Sequence, residues 1–345
     1  MKKKEVLVAM SGGVDSSVAA ALLLKKGYKV TGATMQIWSC TFQSSVNDAR
    51  EVATKLKIPF HIFNFEEEFK KDVIEYFIQE YEKGRTPNPC IACNKHIKFE
   101  HFLEKALSMN IHYIATGHYA RVIQKKGRYL LKKSKNRKKD QSYFLYNLTQ
   151  QQLSHTLFPL GMYDKREIRN IAKSLELPTA LKPDSQDVCF IENNDYTEFI
   201  SSNSNITPQK GNIINKQGKI LGEHNGLTHY TIGQRKGIRV PSKEALYVVD
   251  IDFEKNNLIV GGKEEIYAKE LVATDINLIA FDKLTKPVKV TAKIRYGGKE
   301  ARATITPLSN GDISVLFKKK QRAITPGQSV VFYKGDTVIG GGKIV

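Results

Sequence analysis

The heptapeptide Ser11-Gly12-Gly13-Val14-Asp15-Ser16-Ser17, set between the apolar run Val6–Met10 and the alanine-rich run Val18–Lys26, constrains this chain more than any other feature. A strand that enters a glycine-rich loop and leaves it as a helix aims several backbone N–H groups at one spot, and the helix N-terminus adds positive partial charge there. Glycine lets the backbone approach an anion closely, and serine hydroxyls add donors. The arrangement predicts a phosphate loop in an α/β domain. It is not the Walker type, because no Gly-Lys-Ser/Thr closes it, and it is not the dinucleotide fingerprint.

The residues that follow continue the alternation. Tyr28–Met35, Phe60–Phe65 and Tyr113–Thr116 read as further strands, and Asn47–Leu56, Glu66–Tyr81 and Phe99–Ser108 carry helical spacing. Asp164 with Glu167 signals a capped helix start. This is the pattern of a Rossmann-like parallel sheet flanked by helices. Beyond Tyr196 a Ser/Asn stretch, residues 201–205, reads as a linker into β-rich sequence with glycine turns. Alternation in 288–296, 303–306, 313–317 and 330–333, with turns at Gly297-Gly298 and Asn310-Gly311, predicts a small C-terminal barrel. For 345 residues the expectation is three domains: an α/β domain over 1–198, a central β-rich domain over 199–269 and a β-barrel over 270–345.

Charge points to a polyanionic partner. The formal net charge is +19, and it is segregated. Nine basic residues and no acid lie between Lys125 and Lys139, a run that by itself reads as a solvated face, and residues 286–345 hold twelve basic against three acidic residues. Glu66–Glu82 is acidic by contrast, with seven acids and two lysines. Apolar runs such as Ala19–Leu24 fall far short of the roughly 20 residues that span a bilayer, and the basic start lacks a signal-peptide core. A cytoplasmic protein without a membrane partner is expected.

Four cysteines, Cys40, Cys90, Cys93 and Cys189, are too few for a disulfide framework in a chain of this length. Thr86-Pro87-Asn88-Pro89 precedes Cys90-Ile91-Ala92-Cys93-Asn94-Lys95, so the two thiols are expected on an exposed turn before a helix starting near Asn94, partly ionised by that helix and Lys95. Cys189 follows a polar turn. One thiol of such a set can carry a persulfide that another resolves. A zinc site with Cys40 or His96 as a further ligand and an iron–sulfur cluster on Cys90, Cys93 and Cys189 stay open as alternatives.

Ser11–Ser16 resembles the PP-loop of the ATP pyrophosphatase superfamily, which implies cleavage of ATP between its α and β phosphates. The chain as a whole resembles the bacterial tRNA-specific 2-thiouridylases. Carrying that resemblance are Gly84–Pro89, Cys93-Asn94-Lys95 with Ile97-Lys98-Phe99, Ala115–Arg121, Lys139–Leu145, Leu157–Gly161, Asp184-Ser185-Gln186 with Cys189-Phe190-Ile191, Tyr230–Gly237 and Gln321–Gln328. The resemblance implies adenylation of the wobble-uridine C2 oxygen in tRNAs for Lys, Glu and Gln, then sulfur transfer from an enzyme persulfide loaded by a cysteine desulfurase or relay protein. It places ATP with Mg2+ on Ala9, Met10, Ser11, Gly12, Gly13, Val14, Asp15 and Ser16, with Met35 and Gly117 beside the adenosine. Cys189 would hold the persulfide and Cys93 would be the partner thiol. Asn88, Pro89 and Cys90 would face the target base, and His118, Lys139, Asp140, Gln141, Arg295, Tyr296 and Gln328 would touch tRNA. Outside that setting, His118 alone reads as a packed histidine. The chain departs from the family where many members carry Asp in place of Cys90, and its segment after Trp38 is shorter than theirs. A nucleotide-regulated RNA-binding protein without catalysis and a PP-loop amidotransferase are the rival readings.

Overall fold

The computed structural model describes residues 3–38, 42–183, 188–191, 195–204 and 208–345. Cys40 and Asp184-Ser185-Gln186 lie outside the described residues. The first domain contributes strands β1 (Glu5–Ala9), β2 (Lys29–Gln36), β3 (Phe60–Asn64), β4 (Tyr113–Ala115), β5 (Ala120–Lys125), β6 (Arg128–Lys133) and β7 (Thr156–Leu157). Five of these pair in parallel in the order β3-β2-β1-β4-β7. Along β1, Leu7 and Ala9 enter one core with Phe69 and Phe102, while Val6 and Val8 enter another with Ala49, Val52 and Ala53. Side chains alternate across a strand, so both faces of this sheet are covered.

Helix α1 (Val14–Lys25) begins four residues earlier than its apolar spacing suggests, because Gly13 is its N-cap. Helix α2 (Phe42–Leu56) packs on the same side. Two longer helical runs, α3 (residues 66–82) and α4 (residues 89–108), each widen into a π-turn, over Lys70–Glu75 and Asn94–His101. Asp164 and Glu167 form the expected capping box ahead of the helix Lys165–Ser174. The expected linker at 201–205 is corrected in part: the helix Tyr196–Asn203 occupies most of it, capped by Asp195 and anchored by Phe199 against Phe190 and Phe77.

Strands β8 (Gly211–Ile214), β9 (Ile220–His224), β10 (Tyr247–Asp252) and β11 (Asn257–Gly261) form the central sheet around Ile213, Val248 and Leu258. Six further strands, β12 (Tyr267–Leu278), β13 (Val288–Lys293), β14 (Ala301–Pro307), β15 (Ile313–Arg322), β16 (Ser329–Lys334) and β17 (Thr337–Ile344), close into a barrel through the β12–β17 pairing.

The β5–β6 hairpin leaves the first domain and extends the barrel sheet, with Lys132 opposite Thr337. This corrects the reading of Lys125–Lys139 as a free basic face. Arg128 pairs with Asp282 at 2.5 Å, Lys133 with Glu300 at 2.5 Å, and Arg137 joins Arg121 on Asp336. Part of the run's charge is spent inside the molecule, fastening the first domain to the barrel. Among the described residues no helix is long and apolar enough to cross a membrane.

Candidate active site

The sheet order reverses between β1 and β4, and the crevice at such a switch point is where open α/β sheets bind ligands. Ala9 and Met10 end β1, Met35 lies near the end of β2, and Gly117 follows β4, so the residues expected at the nucleotide line one edge. Within the loop, Ser16 Oγ donates to Gly13 O at 3.1 Å and Ser17 Oγ to the same carbonyl at 2.8 Å. The Ser11 N–H donates to Ser16 Oγ at 3.2 Å. The first amides of α1 have no partner within the helix and face the crevice as donors. Gly12 has φ +69°, and a Cβ there would stand 2.5 Å from Ser45 O, so only glycine fits. Asp15 Oδ1 accepts from the Tyr119 hydroxyl at 2.8 Å and from Lys165 Nζ at 2.7 Å, which fixes the loop from the opposite side. A Cβ on Gly117 would lie 2.8 Å from Ser16 N, so the Thr116–His118 loop sits directly on the start of α1.

The cysteines correct the sequence expectation. α4 starts at Pro89 rather than near Asn94, with Asn88 as its N-cap, so the Cys-x-x-Cys is helical and packs inward with Ile91 and Ala92. Cys93 is 6% exposed, Cys90 is half-buried and Cys189 is exposed. Burial pushes the Cys90 and Cys93 thiols up, and Lys98 pulls them back only in part. Cys189 is pushed the same way by its packed surroundings and then by Cys93, with Lys98 again opposing. At neutral pH the thiols are protonated, not partly ionised. The cation that reaches all three is Lys98, on the π-turn of α4, while Lys95 is exposed. Sequence reading used Lys98 only as a mark of resemblance; its five-residue offset from Cys93, one turn of a π-helix, was the signal that it faces the thiols.

His118 joins the two halves of the site. Its Nδ1 lies 2.8 Å from Thr116 Oγ1 and its ring is held between Phe99 and Phe158. Burial, and then Lys98, lower it to about 3, so the ring is neutral. It therefore stands beside Lys98 while its neighbour Gly117 rests on the phosphate loop.

The loop ahead of Cys90 is clamped from two domains. Gln328 Nε2 donates to Thr86 O at 2.8 Å, and Thr86 Oγ1 bonds Thr231 Oγ1 at 3.3 Å. Beneath it, Arg85 pairs with the buried Glu80 at 2.7 Å. Asp140 accepts from Ser142 Oγ at 2.8 Å and from the Ser134 N–H at 2.9 Å, and Gln141 Oε1 accepts from the Tyr119 N–H at 2.9 Å. Four residues after Asp140, Phe144 packs on Tyr296 with ring centroids 4.3 Å apart, and Arg295 beside it is exposed. Lys139, Asp140, Gln141, Arg295 and Tyr296 thus come together; Gln328 and His118 are engaged inside the protein. No group of three His, Cys, Asp or Glu residues is arranged to hold a metal ion among the described residues.

Family models match three stretches of the chain: a tRNA methyl transferase HUP domain over residues 4–193, a tRNA methyl transferase PRC-barrel domain over 198–262 and an aminomethyltransferase beta-barrel domain over 268–344. A tRNA-specific 2-thiouridylase MnmA of Acetivibrio thermocellus is 54% identical over 358 residues and covers 100% of both chains. One from Thermoanaerobacter pseudethanolicus is 52% identical over 357 residues, covering 99% of this chain and 98% of its own. Among solved structures, a 4-thiouridine synthetase–RNA complex with bound ATP is 20% identical over 54% of this chain and 44% of that one, with a TM-score of 0.35.

Proposed function

The chain belongs to the tRNA-specific 2-thiouridylases, a family of tRNA sulfurtransferases, and from that premise we propose that it replaces the C2 oxygen of the wobble uridine in tRNAs for Lys, Glu and Gln with sulfur, using ATP. ATP enters with magnesium as the counter-ion of its phosphates, its phosphates on the amides and hydroxyls of Ser11–Ser16. The uridine C2 oxygen attacks the α-phosphorus, pyrophosphate leaves, and C2 becomes an O-adenylate. Asn88, Pro89 and Cys90, at the start of α4, face the base. Cys189, open to water, receives a terminal sulfur from a persulfide donor. That sulfur attacks C2 and AMP departs with the former carbonyl oxygen. Cys93 then attacks the Cys189 sulfur, the S–S bond breaks, the thiouridine leaves, and a Cys93–Cys189 disulfide remains for an external dithiol to reduce. The two thiols give up one proton each.

The observation that carries this reading is the convergence of Cys93 and Cys189, far apart in sequence, on Lys98. The Thr116–His118 loop links that cluster to the phosphate loop. A lysine near the thiols favours their ionised, nucleophilic form when the site is engaged. Incubation with tRNA, ATP-Mg and a persulfide donor, followed by mass spectrometry of nucleosides, tests it. A 2-thiouridine product with matching AMP and pyrophosphate is expected, and Cys189→Ser should form none while still binding ATP. A wild-type protein that yields no thiolated uridine rejects the reading, and full activity in Cys189→Ser rejects the persulfide role.

A further inference from the structure

The thiol cluster holds one sulfur more than the sulfur transfer uses. Cys90 and Cys93 stand three residues apart in the first turns of α4, so their side chains are neighbours on one helix face. The Cβ atoms of such a pair lie about 5–6 Å apart and a disulfide needs roughly 3.5–4.5 Å, so a small contraction of the helix start closes it. The turn is not stiffened by a side-chain cap, since the N-cap Asn88 makes no such bond. Cys189 meets this pair from a distant part of the chain. Phe190, its neighbour, packs into the same core as Ile91, Ala92 and Cys93. The three sulfurs are close enough for Cys189 to feel the charge of both Cys93 and Cys90, and for Cys93 to feel that of Cys90. Access to them differs: Cys93 is 6% exposed, Cys90 is half-buried and Cys189 is open.

We propose that Cys90 is a third catalytic thiol, which takes the disulfide over from Cys189 after each turnover and so frees Cys189 to be loaded again. The inference rests on the functional reading above, in which sulfur transfer ends with Cys93 joined to Cys189. The Cys90 thiolate attacks Cys93 Sγ: the Cys90–Cys93 bond forms, the Cys93–Cys189 bond breaks with its electron pair going to Cys189, and the proton lost by Cys90 is restored at Cys189. No electrons enter or leave the protein in this step. Lys98 reaches all three sulfurs and offsets the negative charge as it passes from Cys90 to Cys189. An external dithiol then reduces the Cys90–Cys93 disulfide and is itself oxidised. A thiol on the same helix face attacks at an effective concentration that a dissolved dithiol does not match, and it approaches the one sulfur of the three that solvent barely touches. The aspartate that many family members carry at this position has no sulfur with which to do so.

The test follows the disulfide. Reduced protein is loaded with persulfide by a cysteine desulfurase, freed of small thiols and mixed with tRNA and ATP-Mg. Samples are quenched in acid, alkylated with N-ethylmaleimide and digested with trypsin for mass spectrometry. Cleavage after Arg85 and Lys95 keeps Cys90 and Cys93 on one peptide. An internal disulfide leaves that peptide unalkylated, whereas a Cys93–Cys189 disulfide links it to another. In the wild type the linked form should appear first and pass into the internal form, with Cys189 becoming alkylated. In Cys90→Ser and Cys90→Asp the linked form should persist. With an external dithiol supplied, steady-state thiolation by these variants should fall about tenfold or more relative to each variant's own first turnover. Thiouridine formed while Cys90 of the wild type stays alkylated overturns the inference and leaves the functional reading standing. First turnover and steady state slowed equally in both variants overturn it too, because a packing or base-facing role slows every turnover alike. A wild-type protein that forms no thiouridine removes the functional reading, and this step with it.

Discussion

Gln328 donates its side-chain amide to the backbone carbonyl of Thr86 at 2.8 Å, and the Thr86 N–H returns a bond to Pro326 O at 2.9 Å. The barrel's turn between β15 and β16 thereby grips the loop that leads into Cys90 and Cys93. Gly327 makes the approach feasible: its φ is +88°, and a Cβ there would stand 2.9 Å from Thr86 N. Loss of one such bond from a half-buried carbonyl costs about 1 kcal/mol. Gln328→Ala should lower stability to urea by about that amount and reduce turnover while leaving ATP affinity unchanged. A variant with wild-type turnover would show that the barrel does not position the loop.

Gly117 is a sharper test of the nucleotide crevice. An added methyl group meets Ser16 N at 2.8 Å and the Asp15 carbonyl carbon at 2.9 Å, both backbone atoms that cannot swing aside. Gly117→Ala should push the Thr116–His118 loop off the phosphate loop and weaken ATP binding about tenfold or more by calorimetry, as displacing a set of preorganised anion donors does. Gly127→Ala is the control. Nothing lies within 4 Å of that position, and its positive φ costs only about 1 kcal/mol of stability. Equal ATP affinities in the two variants would place the nucleotide elsewhere.

The phosphate loop and the barrel were legible because local patterns specify them. Gly12 at positive φ, the alternation of Val290 and Ala292 inward, and the turn at Asn310-Gly311 all follow from short-range chemistry. Features that depend on tertiary packing were not legible. Nothing local says that Arg137 meets Asp336 or that Gln328 meets Thr86, since those partners are far apart in sequence. The ionisation of the cysteines failed for a different reason, a misplaced helix start. A lysine two residues after Cys93 looks like its partner, but the helix begins at Pro89 and turns Lys95 outward, and the π-turn brings Lys98 in.

Cysteine reactivity should follow that geometry. Folded-state thiol values raised by burial at Cys90 and Cys93 mean that the protonated form persists at neutral pH, and that the thiolate appears only as the pH rises above the ordinary cysteine range. The sign for stability agrees: the contribution is present below the unfolded value and is lost as pH rises through the folded one. Mass-resolved alkylation with iodoacetamide should label the exposed Cys189 first and Cys93 slowly, with the Cys93 rate climbing on the alkaline side. Lys98→Met should shift the Cys93 profile further alkaline, and Lys98→Arg should restore it. An unchanged profile in Lys98→Met would remove Lys98 from any role in tuning the thiols.

His118 gives a stability prediction of opposite sense. Burial, followed by Lys98, holds its ring at about 3, well below the unfolded histidine value, so the unfolded chain binds a proton that the folded site refuses. Stability conferred by the neutral ring is complete above about pH 6.5 and is lost as pH falls toward the folded value, at up to about 1.4 kcal/mol per unit. Urea unfolding at pH 5 should therefore show a deficit of about 1–2 kcal/mol relative to pH 7 that His118→Gln lacks. Comparison with the variant isolates this histidine from His101, where burial alone would lower the value but its hydrogen bonds to Asp72 and Glu104 raise it, giving a contribution that is complete below the unfolded value and lost as pH rises through the folded one. A neutral His118, packed between Phe99 and Phe158, brings no positive charge to a bound RNA. Replacing it should thus leave the salt dependence of tRNA binding unchanged. A salt slope reduced by about one in His118→Gln would mean that the ring is charged in the complex.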